Sequence, residues 1–266
     1  MDDTVDYFKN LKLVPSYVSA GRYSKINVYQ DLKTKQYLLK KQIPCQAYNA
    51  LEPMVHKLME NNEYFVRMFY HIYSPRGFVL YLEYQEDYLD LHITIKNYGP
   101  MDIDIVRIVI IKCIYALSCL HKHHIIHNDM KLENTLYCPL NNNVKLCDFG
   151  LSRIIGQRNL HDGTLEYFSP EKIKQHPYAE HFDWWCIGIM TFELLTGKHP
   201  FLAPDVKPTL NTLYSNINSV KNFSQEVEDE KACDFITQVL CFNKRNRLKT
   251  EMGLRDHNFI GTPVFK

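Results

Sequence analysis

Apolar and polar positions alternate in short runs over the first third of the chain, then give way to longer helical spacing. The extended run from Val28 to Ile43, broken by the polar stretch Asp31 to Lys35, predicts a hairpin whose second strand carries Tyr37, Leu38 and Leu39. A helix is predicted from about Pro53 to Asn61, with Val55, Leu58 and Met59 on its apolar face. Two more apolar runs, Tyr64 to Tyr73 and Phe78 to Tyr84, read as strands. A long helix is predicted to start near Asp102, whose carboxylate suits a helix N-terminus. Its most apolar stretch, Ile105 to Leu120, is interrupted by Arg107 and Lys112 and reads as a buried helix, not a membrane span. Asn141-Asn142-Asn143 supplies the turn of a second hairpin. Trp184 to Leu195 reads as another buried helix, stopped by Gly197 and Pro200. The expected fold class is α+β, with a small β-rich lobe over residues 1–84, a larger helical lobe over 85–266 and a ligand site in the cleft between them.

Composition narrows the function classes. At 45% hydrophobic and 23% charged residues, the chain of 266 residues matches an ordinary globular protein. A net charge of +1 gives no reason to expect direct nucleic-acid or membrane binding over the whole surface. The eight cysteines form no CxxC pair and no zinc spacing, and several lie in apolar runs. They point to a reducing compartment, so an intracellular protein, cytoplasmic or nuclear, is expected. The opening MDDTVDYFKN is acidic and has no apolar core, so no secretory leader is expected. Oligomeric state leaves no signature.

The chemistry enters with His127-Asn128-Asp129-Met130-Lys131-Leu132-Glu133-Asn134, followed by Asp148-Phe149-Gly150. These stretches resemble the H-R-D-x-K-x-x-N and D-F-G signatures of the protein kinase family. Ser169-Pro170-Glu171 stands for A-P-E, Asp183 falls in the next helix and Arg247 near the end, all in family order. The resemblance runs from about residue 17 to residue 260 and implies a bilobal fold, ATP and Mg2+ as cofactors, and a protein substrate. Phosphoryl transfer gathers negative charge on oxygens, so such a site works by positioning and electrostatics. The resemblance makes Asp129 the group that accepts the substrate hydroxyl proton. It makes Lys131 the neutraliser of the γ-phosphate, and Asn134 and Asp148 the metal ligands. Lys131 and Thr164, in Gly163-Thr164-Leu165-Glu166-Tyr167, mark the serine/threonine branch over the tyrosine branch.

In the small lobe, Thr34-Lys35-Gln36-Tyr37-Leu38-Leu39-Lys40 resembles T-G-x-x-V-A-I-K and assigns Lys40 as the ATP lysine; neighbouring Lys41 must face the other way. Glu52 is its expected partner, although Pro53 places it at the helix end; Glu60 is the alternative, read as a solvated helix residue. The glycine loop is degenerate, Ser19-Ala20-Gly21-Arg22-Tyr23-Ser24-Lys25-Ile26, with Ser19, Gly21 and Ser24 in the phosphate-cradling places. Leu82-Glu83-Tyr84-Gln85 resembles the hinge, with the Glu83 carbonyl and Gln85 amide on the adenine edge. Ile26, Leu38 and Leu136 are assigned to sandwich the ring. The worn glycine loop also fits a pseudokinase, a nucleotide-binding scaffold. A small-molecule kinase fits poorly, because Ser169-Pro170-Glu171, Thr164 and a Glu171–Arg247 pair build a protein-substrate platform.

Asn128 replaces an arginine that grips an activation-loop phosphate in many relatives, and no serine, threonine or tyrosine lies between Arg153 and Gly163. Activity without activation-loop phosphorylation is therefore expected. Glu133, Glu166 and the cluster Glu226, Glu228, Asp229, Glu230 lie where relatives meet substrate, so basic, arginine-containing sites are the expected targets. Against this, the cluster reads equally well as a solvated helix face. The narrower resemblance is to the baculoviral late serine/threonine kinases, which implies an arginine-rich, DNA-condensing virion protein as substrate and the host nucleus or virion as location.

Overall fold

The alternating positions of the first third pair into one antiparallel sheet of five strands. In this computed structural model, which describes residues 9–20, 24–74, 77–203, 207–219 and 221–261, the strands are β1 (Leu11–Ala20), β2 (Lys25–Asp31), β3 (Tyr37–Ile43), β4 (Met68–Ser74) and β5 (Gly77–Tyr84). Their order is β1-β2-β3-β5-β4. The β2–β3 hairpin turns on Asp31, whose carboxylate accepts from the Lys33 and Thr34 N–H groups at 2.8 and 3.4 Å. β4 starts at Met68, later than the apolar run, because Asn62 holds the Tyr64 N–H at 3.0 Å and the Phe65 N–H at 3.2 Å in a turn.

Register decides the faces of this sheet. Ile26 pairs with Lys41 and Val28 with Leu39, while Leu39 pairs with Leu82 and Lys41 with Leu80. Side chains alternate along a strand. Ile26, Val28, Leu39, Lys41, Leu80 and Leu82 therefore share one face, and Leu38 and Lys40 lie on the other. Helix α1 (Leu51–Leu58) follows. It begins before Pro53, since proline is tolerated within a first turn.

The chain divides into two compact units, Met1–Asp87 and Tyr88–Lys266. In the second, β6 (Leu89–Asp90) leads into α2 (Leu91–Tyr98) and α3 (Ile103–His121). Asp102 caps α3 by accepting from the Asp104 N–H at 2.8 Å. Short strands β7 (Ile125–Ile126), β8 (Thr135–Cys138), β9 (Asn143–Leu146) and β10 (Arg153–Ile154) follow, then helices α4 (Pro170–Ile173) and α5 (His181–Thr196). The second unit closes with α6 (Leu210–Asn218), α7 (Glu230–Val239) and α8 (Glu251–Asp256). β8 and β9 form the hairpin around Asn141–Asn143, and β7 pairs with β10. Helix α5 is buried almost all round, with Trp184, Trp185, Ile187, Ile189 and Phe192 in the core, the pattern of a central helix. It packs against α3 and α7 and ends on Gly197 in the left-handed region at φ 71°. Among the described residues no helix is long and apolar enough to cross a membrane.

Candidate active site

Asp183, in the first turn of α5, organises the loop that leaves β7. Fully buried, it accepts the His127 N–H at 2.8 Å and the Asn128 N–H at 2.9 Å, and bonds His121 Nε2 at 2.9 Å. Burial alone would raise its pKa, yet the bonds from His121 and the Asn128 backbone, with the nearby imidazoles, hold it below the ordinary carboxylate value. One carboxylate thus pins the two residues immediately before Asp129.

Three residues meet around Asp129. Thr164 Oγ1 donates to Asp129 Oδ1 at 2.8 Å, and Lys131 Nζ donates to Thr164 Oγ1 at 2.9 Å. Lys131 Nζ is also 3.7 Å from Asp129 Oδ2. Asn134 Nδ2 reaches the Asp129 carbonyl at 2.7 Å and Oδ2 at 3.1 Å. This use of its NH2 group turns the Asn134 amide oxygen away from Asp129. Asp129 itself is 9% exposed, and bonds to both carboxylate oxygens hold it in one orientation. Asp148, exposed and at φ 60°, begins the Asp-Phe-Gly turn, and the Gly150 N–H donates to its Oδ1 at 3.3 Å. Asp tolerates that left-handed conformation better than most residues. Phe149 is fully buried and meets the His127 ring edge-on, centroids 5.2 Å apart.

In the first unit the expected Lys40–Glu52 pair is corrected. Lys41 Nζ bonds Glu52 Oε1 at 2.5 Å, with side chains 8% and 2% exposed. Lys40, one residue earlier, projects from the opposite face, its ammonium 5.7 and 5.8 Å from the Tyr29 and Tyr81 ring centroids. Burial, with help from Lys25, lowers the Lys40 pKa. The same alternation corrects Leu38: Leu39 is the residue on the face of Lys41 and Ile26. Glu52 sits in the first turn of α1, at the helix end as its neighbour Pro53 required. Glu60 is exposed and pairs with Lys57 at 2.7 Å. Gly21 lies outside the described residues; Ser19 pairs with Ile26 across β1 and β2, and Ser24 directly precedes β2. Glu83 uses its backbone N–H on the Arg67 carbonyl at 2.8 Å, and its carboxylate takes the Gln85 side-chain amide at 2.6 Å. Leu136 lies on β8, half-buried.

The expected platform is present. Arg247 is bidentate to Glu171, Nη1 to Oε2 at 2.6 Å and Nη2 to Oε1 at 3.1 Å, and stacks on Trp185 at 4.8 Å. Burial tends to raise the Glu171 pKa, but the guanidinium outweighs it and holds it low. Arg247→Met is expected to destabilise the protein by about 3–5 kcal/mol in denaturant titration, since it leaves Glu171 buried without its cation.

One residue escaped sequence reasoning. Glu193, on α5, accepts from the Tyr167 hydroxyl, and its carboxyl pKa is pushed up to about 8 by burial, with Glu133 adding to the rise against the Tyr167 bond. Its signal was a lone acid in the apolar run Thr191-Phe192-Glu193-Leu194-Leu195. In the distal acidic cluster, by contrast, Asp229 caps α7 through the Ala232 N–H at 2.8 Å, and Glu226 pairs with Lys198 at 3.2 Å. These two serve local structure.

A β-rich first unit and a helical second unit carrying this loop, turn and platform define a phosphotransferase of the protein kinase fold. Residues 18–260 match the protein kinase domain family, and the chain belongs to that family. It is 37% identical over 226 residues to Serine/threonine-protein kinase 1 of Lymantria dispar multicapsid nuclear polyhedrosis virus, covering 84% of this chain and 80% of the relative. It is 38% identical over 254 residues to the protein of the same name from Heliothis zea nuclear polyhedrosis virus, covering 90% of each. The solved Cydia pomonella Granulovirus kinase PK-1 superposes with a TM-score of 0.89 at 28% identity, covering 98% of both chains. The chain is accordingly an ATP-dependent serine/threonine protein kinase, and its relatives lend the scaffold reading no support.

Proposed function

We propose that this kinase phosphorylates serine or threonine in arginine-containing protein segments, and does so without a phosphate on its activation segment. The observation that carries the reading is the set Asp129, Lys131, Asn134 and Thr164, bonded to one another, beside an activation segment with no serine, threonine or tyrosine between Arg153 and Gly163. Asp129 accepts the proton of the substrate hydroxyl and aims its oxygen. Thr164 and Asn134 hold that carboxylate in place, and Lys131 brings positive charge to where it develops. The Asn134 amide oxygen and the Asp148 carboxylate are hard oxygen donors suited to Mg2+. Magnesium ATP supplies the phosphoryl group. Lys41, oriented by Glu52, is the lysine for its phosphates, and Ser19, Gly21 and Ser24 are assigned to cradle them. Ile26, Leu39 and Leu136 are assigned to the adenine faces, and the Glu83 carbonyl and Gln85 amide to its edge.

Glu193 and Glu133 support the preference for arginine. Burial first, and Glu133 beside it, raise the Glu193 carboxyl pKa to about 8, and a guanidinium brought to the two acids would favour their charged forms. A group whose folded pKa is raised contributes stability below its unfolded value, lost as pH rises through the folded one. Wild-type stability should therefore fall as pH climbs from about 4.5 to about 8, and Glu193→Gln should flatten that slope. The same substitution should raise KM for arginine-flanked serine peptides about tenfold and leave KM for neutral peptides unchanged. Equal KM values for arginine and neutral peptides in the wild type would refute the substrate assignment. The resemblance to the baculoviral late kinases suggests an arginine-rich, DNA-condensing protein as the natural substrate and an infected cell's nucleus as the place of action.

A further inference from the structure

Asn128 stands where an arginine is expected, yet no polar group of this residue is idle. Its N–H goes to Asp183, and its Nδ2 donates to the Leu151 carbonyl at 2.8 Å and to Asp162 Oδ1 at 2.9 Å. Its carbonyl and its Oδ1 both accept from Lys172 Nζ, at 2.9 and 2.7 Å. Lys172 is 4% exposed and comes from the far side, one residue after Glu171, its ammonium 4.5 Å above the Phe168 ring. A buried lysine without acceptors would be strongly disfavoured; here two oxygens of one residue receive it.

The opposite end of this chain of bonds is Asp162. Its carboxylate pairs with Arg153 of β10 and accepts from the Tyr178 hydroxyl at 2.6 Å. That hydroxyl in turn takes the Leu160 N–H at 2.9 Å. Asn159 and His161 tie the same segment to α4, through the Lys172 carbonyl at 2.9 Å and the Ile173 carbonyl at 3.0 Å. Burial would raise the Asp162 pKa, but Tyr178, Asn128 and Arg153 together hold it low, so it is a carboxylate at neutral pH. Gly163, at φ 109°, permits this packing: a Cβ there would lie 2.8 Å from the Asn128 carbonyl oxygen and 2.9 Å from Lys172 Nζ. Asn128 itself is at φ 68°, a conformation asparagine accepts more readily than arginine.

We propose that Lys172 and Asp162 are positioning residues for phosphoryl transfer. They clamp Asn128 from two sides and thereby fix Asp129, with the Lys172 ammonium in place of the missing arginine and the Asp162 carboxylate in place of a phosphate. Arg153 pairs directly with Asp162, and Asp162, Asp183 and Asp129 favour the charged Lys172 against the burial that lowers its pKa. The clamp deepens the phosphorylation-independent reading and rests on it. It acts on the carboxylate that aims the hydroxyl, so it should govern turnover and leave ground-state binding alone.

The experiment compares phosphatase-treated wild type with K172M, which keeps the apolar stem, and with D162N, which keeps the shape. The substrate is an arginine-flanked serine peptide with magnesium ATP. Both variants are expected to lose about tenfold to a hundredfold in kcat, with KM for ATP and peptide within about twofold of wild type. A cooperative melt with wild-type kcat in K172M overturns the clamp. Should K172M fail to fold, D162N decides, and wild-type kcat there overturns the proposal equally. A silent wild type would count against the kinase reading itself. Amide exchange of residues 127–129 then judges the clamp: faster exchange in D162N supports it, and unchanged exchange overturns it.

Discussion

Lys41→Met is expected to lower kcat/KM by on the order of a hundredfold or more, while Lys40→Met leaves it near the wild-type value. The two lysines are adjacent and chemically identical, so the contrast isolates geometry. Lys41 is buried against Glu52 at 2.5 Å on the face that also carries Ile26, Leu39 and Leu82. Lys40 points away from that face and lies over two tyrosine rings. Removing Lys41 deletes the cation assigned to the phosphates and takes a 2.5 Å ion pair from a Glu52 side chain that is 2% exposed. The second effect is thermodynamic, about 3–5 kcal/mol, so melting curves must accompany the kinetics. An enzyme that survives Lys41→Met and dies with Lys40→Met would reverse the assignment.

Asp129→Asn is expected to lose roughly a hundredfold or more in kcat with the fold intact. The substitution preserves shape but removes the base. It also places an NH2 group where a carboxylate oxygen accepted a bond, from Thr164 Oγ1 at 2.8 Å or from Asn134 Nδ2 at 3.1 Å. A donor then faces a donor, and the set that oriented the hydroxyl loosens. Melting temperature should change little, because the Asp183 bonds to the His127 and Asn128 backbone remain. Steady-state kinetics beside a thermal melt checks both halves of this statement.

What could be read from the chain, and what could not, follows from how local each feature is. The residues around Asp129 and Asp148 lie in short contiguous stretches, so their order alone exposed them. The buried helices were legible because α3 and α5 carry apolar side chains over many turns. The Lys40/Lys41 choice was not, because adjacent residues on a strand differ only in phase. That phase is set by pairing with β2 across a short turn and with β5, which lies far along the chain. Glu193 was hidden for a related reason: it reaches Tyr167 across a gap of 26 positions. Lys172 and Asp162 flank recognisable motifs without belonging to them, and only the folded loop brings both to Asn128.

The most direct test of the account is phosphate transfer by protein whose intact mass shows no covalent phosphate at the start. Magnesium ATP and an arginine-flanked serine peptide would be mixed with it in excess enzyme, and the first turnover followed by mass spectrometry. Immediate phosphoserine formation at the steady-state rate, with none on a tyrosine peptide and none by Asp129→Asn, is the predicted result. A lag that ends only when phosphate accumulates on the kinase itself would contradict it.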